Sequence, residues 1–377
     1  MQIFVCQSCK ARVFFENYRC LTCNHELGYL PDPGTIAALE PVDDDTFAAL
    51  GDSAATWRKC RNYGVEGACN WMVRSDDTHE LCESCRLTRT RPDLSVAGNR
   101  TRWILLEAAK RRLVYSLRSL GLPRAGLEED PSHGLAFDLI ASTSDEPAIT
   151  GHDHGIITIN IAEADDEFRE KQRVRLGERY RTLLGHFRHE SGHHYWDLLI
   201  DGSRWHEPYR ALFGDESIDY QQAMKQHYDA GGKSGWQDQH VSAYASMHPW
   251  EDWAETWAHY LHGRDTLEIA AQLNLTVKAP DGSTTRVTPA AARSFDEMIT
   301  AWMPITFALN SLNRGMGLPD WYPFVLSPTV LAKLRFVHDV VVATASEAEA
   351  APAAAAAQSQ DLGQSQSQGS GQSQTAS

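Results

Sequence analysis

Apolar side chains recur at helical spacing from Thr101 to Leu120. Trp103, Leu106, Ala109 and Leu113 share one face there, with Arg and Lys on the other. The pattern predicts an amphipathic helix ended by Gly121 and Pro123. The period then changes: Leu135–Ile140 and Gly155–Ile161 are short, apolar and partly β-branched, and predict two strands. Arg173 to Ile200 predicts one long helix closed by Asp201 and Gly202, and more helices are expected up to about Val342. After residue 343 Ala, Gln, Ser and Gly dominate. Such a segment cannot offset the entropy of ordering, so residues 344–377 are expected to form a disordered tail.

The other end is different. Residues 1–30 are aromatic and cysteine-rich, and Pro31, Pro33 and Gly34 read as a linker. All eight cysteines fall between Cys6 and Cys85. Clustering of this kind suits a local metal-binding device in a reducing compartment better than disulfides spread through a secreted fold. Cys6-x-x-Cys9 and Cys20-x-x-Cys23 are two knuckles at ribbon spacing, which complete a tetrahedron around zinc. Cys60, Cys69, Cys82 and Cys85 predict a second four-cysteine zinc site, with Cys82-x-x-Cys85 its one standard knuckle. The bland alternatives are a redox dithiol or cysteines packed in a core. His25 and His79 lie nearby and are not required.

The chain of 377 residues has 42% apolar content, enough for a sizeable core. It holds no apolar run of about 18 residues, so no membrane span is expected. Met-Gln-Ile-Phe-Val-Cys does not read as a signal peptide, so the cytoplasm is the expected default location. The net charge is −15, with 17 basic against 15 acidic residues over 1–125 and 18 against 35 in the remainder. An acidic body repels phosphate backbones, so nucleic acid is not expected as a partner.

The segment Leu183 to Trp196 contains His189-Glu190-Ser191-Gly192-His193. Histidines four apart on a helix face one way and can share a metal. Glu190, one residue on, can reach water at that metal without being a ligand, and so can act as general base in attack on a carbonyl. A polar helix face with ordinary hydrogen bonds is the plainer alternative. The flanking Leu183, Leu184, Phe187, Tyr195, Trp196 and Leu199 argue for burial, and buried polar groups need partners. A third ligand is best sought in Tyr244–Tyr260. There Pro249 suits a helix start, and Glu251 and Glu255 share a face beside Trp250, Trp253 and Trp257. Either glutamate can approach the metal; both facing solvent or arginines is the alternative.

Arg188–Trp196, Phe213–Tyr220 and His248–His262 together resemble bacterial zinc-binding metallopeptidases that carry an N-terminal zinc ribbon. The resemblance runs from Cys6 to about Val342 and includes Cys69-Asn70-Trp71 and Cys82–Leu87. The E-D-W-A-E element is also similar to the glutamate helix of gluzincins, and of lethal-factor-type toxin peptidases in particular. That resemblance implies Glu251 as zinc ligand, Glu255 as its support, and Tyr244 facing the reacting carbonyl; Glu255 stays open as the ligand.

The reading is therefore α+β. A zinc ribbon (1–30) and a second four-cysteine module (31–95) lead through a connecting helix (96–125) into a mainly helical zincin-like peptidase domain with a small sheet (126–343). One catalytic and two structural zinc ions are expected, with a peptide or protein substrate and room for a protein partner at the ribbons. The rival is a non-catalytic adaptor that docks a partner through the ribbons. Among the spare histidines His186, His194, His248, His259 and His262, His248 is the best catalytic helper. Gly151–Gly155 reads first as a turn rather than a metal site. Ile156–Ile161 is a candidate edge strand for aligning a peptide, and Asp215, Glu216 and Asp219 read as a helix cap.

Overall fold

The computed structural model describes residues 2–143, 147–176, 178–230, 233–289 and 294–367. The architecture is α+β. Strands β1 (Phe4–Val5) and β2 (Arg12–Val13) form a short hairpin whose connection carries Cys6 and Cys9. Strands β3 (Leu27–Leu30), β4 (Thr35–Pro41), β5 (Thr46–Ala49), β6 (Asp52–Lys59) and β7 (Met72–Arg74) make an antiparallel meander in that order. Helices α1 (Arg61–Gly64) and α2 (Glu83–Arg86) begin directly after Cys60 and Cys82. The sheet is closed by an aromatic cluster. Phe15 meets Tyr29 at 5.2 Å and Tyr115 at 5.1 Å, and Tyr29 lies 4.5 Å from Trp71.

Tyr115 belongs to α3 (Asn99–Ser119), close to the helix predicted from periodicity. This helix has two working sides. Toward the cysteine region Arg112 pairs with Glu16, Arg118 with Glu83, and buried Arg111 donates to the Ala68 carbonyl. Toward the rest of the chain Tyr115 donates to Glu268 at 3.2 Å and Ser116 to Asp265 at 2.6 Å. Strand β8 (Thr88–Thr90) is a second stitch, pairing in parallel with β9 (Ala136–Ile140).

That second sheet runs β10 (Gly151–Asp153), β11 (Ile156–Asn160), β9, β8. β11 lies between β10 and β9, so the expected edge role of Ile156–Ile161 falls instead to β10. The predicted helix from Arg173 to Ile200 is two helices, α4 (Asp166–Leu176) and α5 (Leu183–Leu199). Arg181 pins the break by bonding Glu163 and Glu178, each at 2.9 Å, and Thr182 starts the new helix by accepting the Gly185 N–H at 3.0 Å. Helices α6 (His206–Phe213), α7 (Tyr220–Ala230) and α8 (Pro249–Gln272) follow. A hairpin of β12 (Thr276–Lys278) and β13 (Thr284–Arg286) precedes α9 (Phe295–Gly315) and α10 (Pro328–Ser367). Asp219 accepts the Gln222 N–H at 2.8 Å as the cap of α7, while Glu216 pairs with Arg210 and His206.

α10 locks onto α8 through buried Lys333, which bonds Asp252 at 2.5 Å. It runs on into the segment whose composition argues for disorder; alanine's high helix propensity favours helix there even without a core. Residues 368–377 of that tail lie outside the described residues. Among the described residues no helix is long and apolar enough to cross a membrane.

Candidate metal centre

The centre is made where α5 and α8 pack. Each helix begins with a cap: Thr182 for α5, and for α8 His248, whose Nδ1 accepts the Trp250 N–H at 3.1 Å ahead of Pro249 in the first turn. His248 Nε2 contacts the Ile218 carbonyl at 3.2 Å. Both ring nitrogens of this helper candidate are thus engaged at the start of α8. Two indoles tie the helices together: Trp253 donates to the Gly192 carbonyl at 2.8 Å and Trp257 to Ser191 Oγ at 3.1 Å.

The crossing brings three ligand-type atoms to one point. Glu251 Oε2 lies 3.0 Å from His189 Nε2 and 3.5 Å from His193 Nε2. It is buried, and among the described residues no group donates a well-directed hydrogen bond to it. A tetrahedral zinc site with bonds of about 2.0–2.1 Å would have ligand–ligand edges of about 3.3–3.4 Å, so these atoms fit an ion between them. The other Glu251 oxygen accepts the Tyr220 hydroxyl at 2.6 Å. Glu255 Oε1 meets His189 Nδ1 at 2.8 Å, and its Oε2 accepts Ser242 Oγ at 2.6 Å. That contact orients the ring so that Nε2 points to the centre. His193 is held by packing on Trp250, with ring centroids 3.9 Å apart, and its Nδ1 is buried without a hydrogen-bond partner among the described residues.

Glu190 is buried and lines a cavity of about 270 Å³, as do Tyr244, His189 and Glu255. Burial pushes its carboxyl above the usual range, and the imidazoles of His189 and His193 pull it back down. The Tyr244 ring lies 5.9 Å from that of His189. Burial, and then the charge of Glu251, hold the Tyr244 hydroxyl protonated. Among the spare histidines, His186, His259 and His262 also line this cavity, and His194 is buried beside Tyr195. Gly151–Gly155 forms a hairpin turn in which His152 Nε2 accepts the Gly155 N–H at 3.0 Å. Tyr220 and Ser242 escaped the sequence reading. Tyr220 closes the quoted Phe213–Tyr220 motif, and that was its only signal.

The cysteines form two further clusters, Cys6, Cys9, Cys20, Cys23 and Cys60, Cys69, Cys82, Cys85, none in a disulfide. Cys6 and Cys23 sulfurs are 3.7 Å apart, Cys9 and Cys20 3.5 Å, Cys69 and Cys82 3.8 Å. Tetrahedral zinc with bonds of about 2.3 Å has edges of about 3.8 Å. In the second cluster the Cys82 N–H points at Cys60 Sγ and the Trp71 N–H at Cys69 Sγ, both at 3.3 Å. Buried Arg111 adds a positive charge facing Cys69 and Cys85.

Comparison with known proteins follows the same division. Residues 99–340 match the family model described as "Putative zinc-binding metallo-peptidase", and residues 3–96 match a zinc-ribbon domain. Uncharacterized proteins of Mycobacterium bovis and Mycobacterium tuberculosis are each 44% identical over 342 residues, covering 90% of this chain and 95% of theirs. No solved structure matches. With a zinc-ribbon domain ahead of a match spanning α3 to α10, the chain belongs to this zinc-binding metallo-peptidase family.

Proposed function

We propose that the chain is a zinc-dependent peptidase whose zinc is held by His189, His193 and Glu251, with two structural zinc ions in the cysteine clusters. The observation that carries this reading is the convergence of Glu251 Oε2 on two imidazole nitrogens at 3.0 and 3.5 Å, beside a glutamate that opens onto a cavity. When bound, zinc supplies a Lewis acid that lowers the pKa of water toward about 7. Glu190 takes the proton of the attacking water and hands it to the leaving amine, a task suited to a carboxyl whose affinity for protons is raised by burial. Tyr244, protonated and facing the same cavity, donates to the carbonyl oxygen as it gains charge. Glu255 and Tyr220 keep His189 and Glu251 aimed.

Zinc content and turnover of a peptide library are the test. Glu190→Gln should keep its zinc and lose about 100- to 10,000-fold in turnover. A wild type that holds zinc at His189, His193 and Glu251 yet cuts nothing would favour the non-catalytic adaptor.

A further inference from the structure

Beyond Glu251, α8 carries Glu255, His259 and His262 at positions that share one face. All three line the cavity that reaches His189 and Glu190. We propose that this recess is a side-chain pocket for a carboxamide, so that the substrates carry glutamine or asparagine next to the bond that is cut. The inference rests on the peptidase reading and names its substrate class.

The histidine tautomers are set from behind. His262 Nδ1 is 2.5 Å from Arg188 Nη1, and a guanidinium can only donate. The ring proton of His262 is therefore on Nε2. A Cβ on Gly185, across the recess, would stand 3.9 Å from that Nε2. His259 Nδ1 is 2.7 Å from the buried Tyr322 hydroxyl, whose oxygen already faces the Trp302 indole N–H. Among the described residues that hydroxyl proton has no other acceptor, so it goes to Nδ1 and His259 too carries its proton on Nε2. Neither Nε2 has a protein partner among the described residues. Burial depresses both pKa values, that of His259 to about 4, so the rings are neutral donors.

A carboxamide answers this arrangement. Its oxygen accepts from the imidazole N–H groups, and its amine donates to Glu255, whose oxygens have lone pairs beyond those used by His189 and Ser242. A carboxylate would enter beside Glu190 and Glu255. Of the cations nearby, Arg181 and Arg188 are already paired with Glu163, Glu178 and Asp265, and Arg179 on the cavity wall donates to the Pro323 carbonyl. A methionine or leucine would find the apolar rings of Tyr180 and Phe324 in the cavity wall but leave the two imidazole donors unmet.

The experiment uses the zinc-loaded full chain and capped peptides that carry Gln, Glu, Met or Lys at one position, scanned across the cut. At one position kcat/KM for Gln should exceed that for Met and Glu at least tenfold. His259→Phe, which keeps a ring and removes the donor, should bring the Gln-to-Met ratio near one; a ratio within one variant does not depend on how much of it folds. Gly185→Ala, which narrows the recess, should lower the same ratio. Cleavage with equal rates for Gln, Met and Glu at every position, or a preference for Lys or Glu, overturns the pocket and leaves the peptidase reading standing. If no peptide is cut, the peptidase reading fails, and calorimetry with the same Gln and Met peptides decides the pocket. Tighter binding of Gln supports it and equal binding overturns it.

Discussion

Gly192 on α5 and Ala254 on α8 touch backbone to backbone: a Cβ on Gly192 would stand 2.8 Å from the Ala254 Cα and 3.3 Å from its carbonyl oxygen. Neither atom can move aside, because both are main chain. This contact sets the separation of the helices, and with it the reach of Glu251 toward His189 and His193.

Gly192→Ala is therefore expected to destabilise the fold. Helix propensity alone would favour alanine by about 1 kcal/mol, but forcing the helices apart costs about 1–3 kcal/mol. Zinc should also leave the His189–His193–Glu251 site more readily. Denaturant melts and competition with a chelator measure both effects; a variant as stable as wild type with unchanged zinc affinity would show that the spacing is set elsewhere.

Metal content separates the two glutamates. Wild type should hold three zinc ions and Glu251→Ala two. Glu255→Ala should keep three but bind the third about 10- to 100-fold more weakly, having lost the partner of His189 Nδ1. Retention of the third zinc in Glu251→Ala with loss in Glu255→Ala would reverse the assignment.

Tyr220→Phe removes only the hydroxyl that holds Glu251 Oε1 at 2.6 Å. The expected loss is about 10- to 100-fold in metal affinity or turnover, with the melting temperature nearly unchanged. Unaltered activity would mean that Glu251 is oriented without it.

The parts of this centre legible beforehand are those with a local code. His189 and His193 share a face because a helix turns every 3.6 residues, and Cys6-x-x-Cys9 makes a knuckle from its own turn. What each side chain meets across the fold has no such code. Glu251 and Glu255 share a face in any helix, but which imidazole nitrogen each one meets depends on how α5 crosses α8. Tyr220 and Ser242 reach the centre from 31 and 13 residues before their partners. The break before α5 was hidden because the residues around Arg181 are as polar as a solvated helix face. Its cause is two carboxylates, one of them Glu163, 18 residues away.

His259 supplies a pH test. Its folded pKa, depressed by burial to about 4, lies below the ordinary 6.5. Above pH 6.5 neither state binds the proton. As pH falls toward 4 the unfolded chain takes it up and the folded chain does not, so stability drops, on the order of 3 kcal/mol. His259→Gln should flatten the fall between pH 6.5 and 4 in parallel denaturant melts. An identical slope in both proteins would assign it to other groups.

Cutting the chain after Ala350 should leave folding and zinc content intact. The buried side chains Val340 and Val341 of α10 remain in place, and the alanine-rich composition beyond offers Leu362 as its one large apolar group. A truncated protein that melts at lower temperature would show that the far end of α10 has a docking site.

The two-sided packing of α3 bears on how such a protein can be divided. Leu113, Val114 and Leu117 are fully enclosed, and the helix is held by the aromatic cluster on one flank and by Ser116 and Tyr115 on the other. A recombinant fragment begun after it, at residue 126, would bare the face of α5 that rests on α3. One stopped before it, at residue 95, would leave Phe15 and Tyr29 open to water. The ribbon is thus less a passenger on the peptidase than one half of a hinge pin set in both plates. Removing metal from the cysteine clusters should loosen the half built on α5 and α8 as well, and a graft of either half onto another protein has to carry α3 with it.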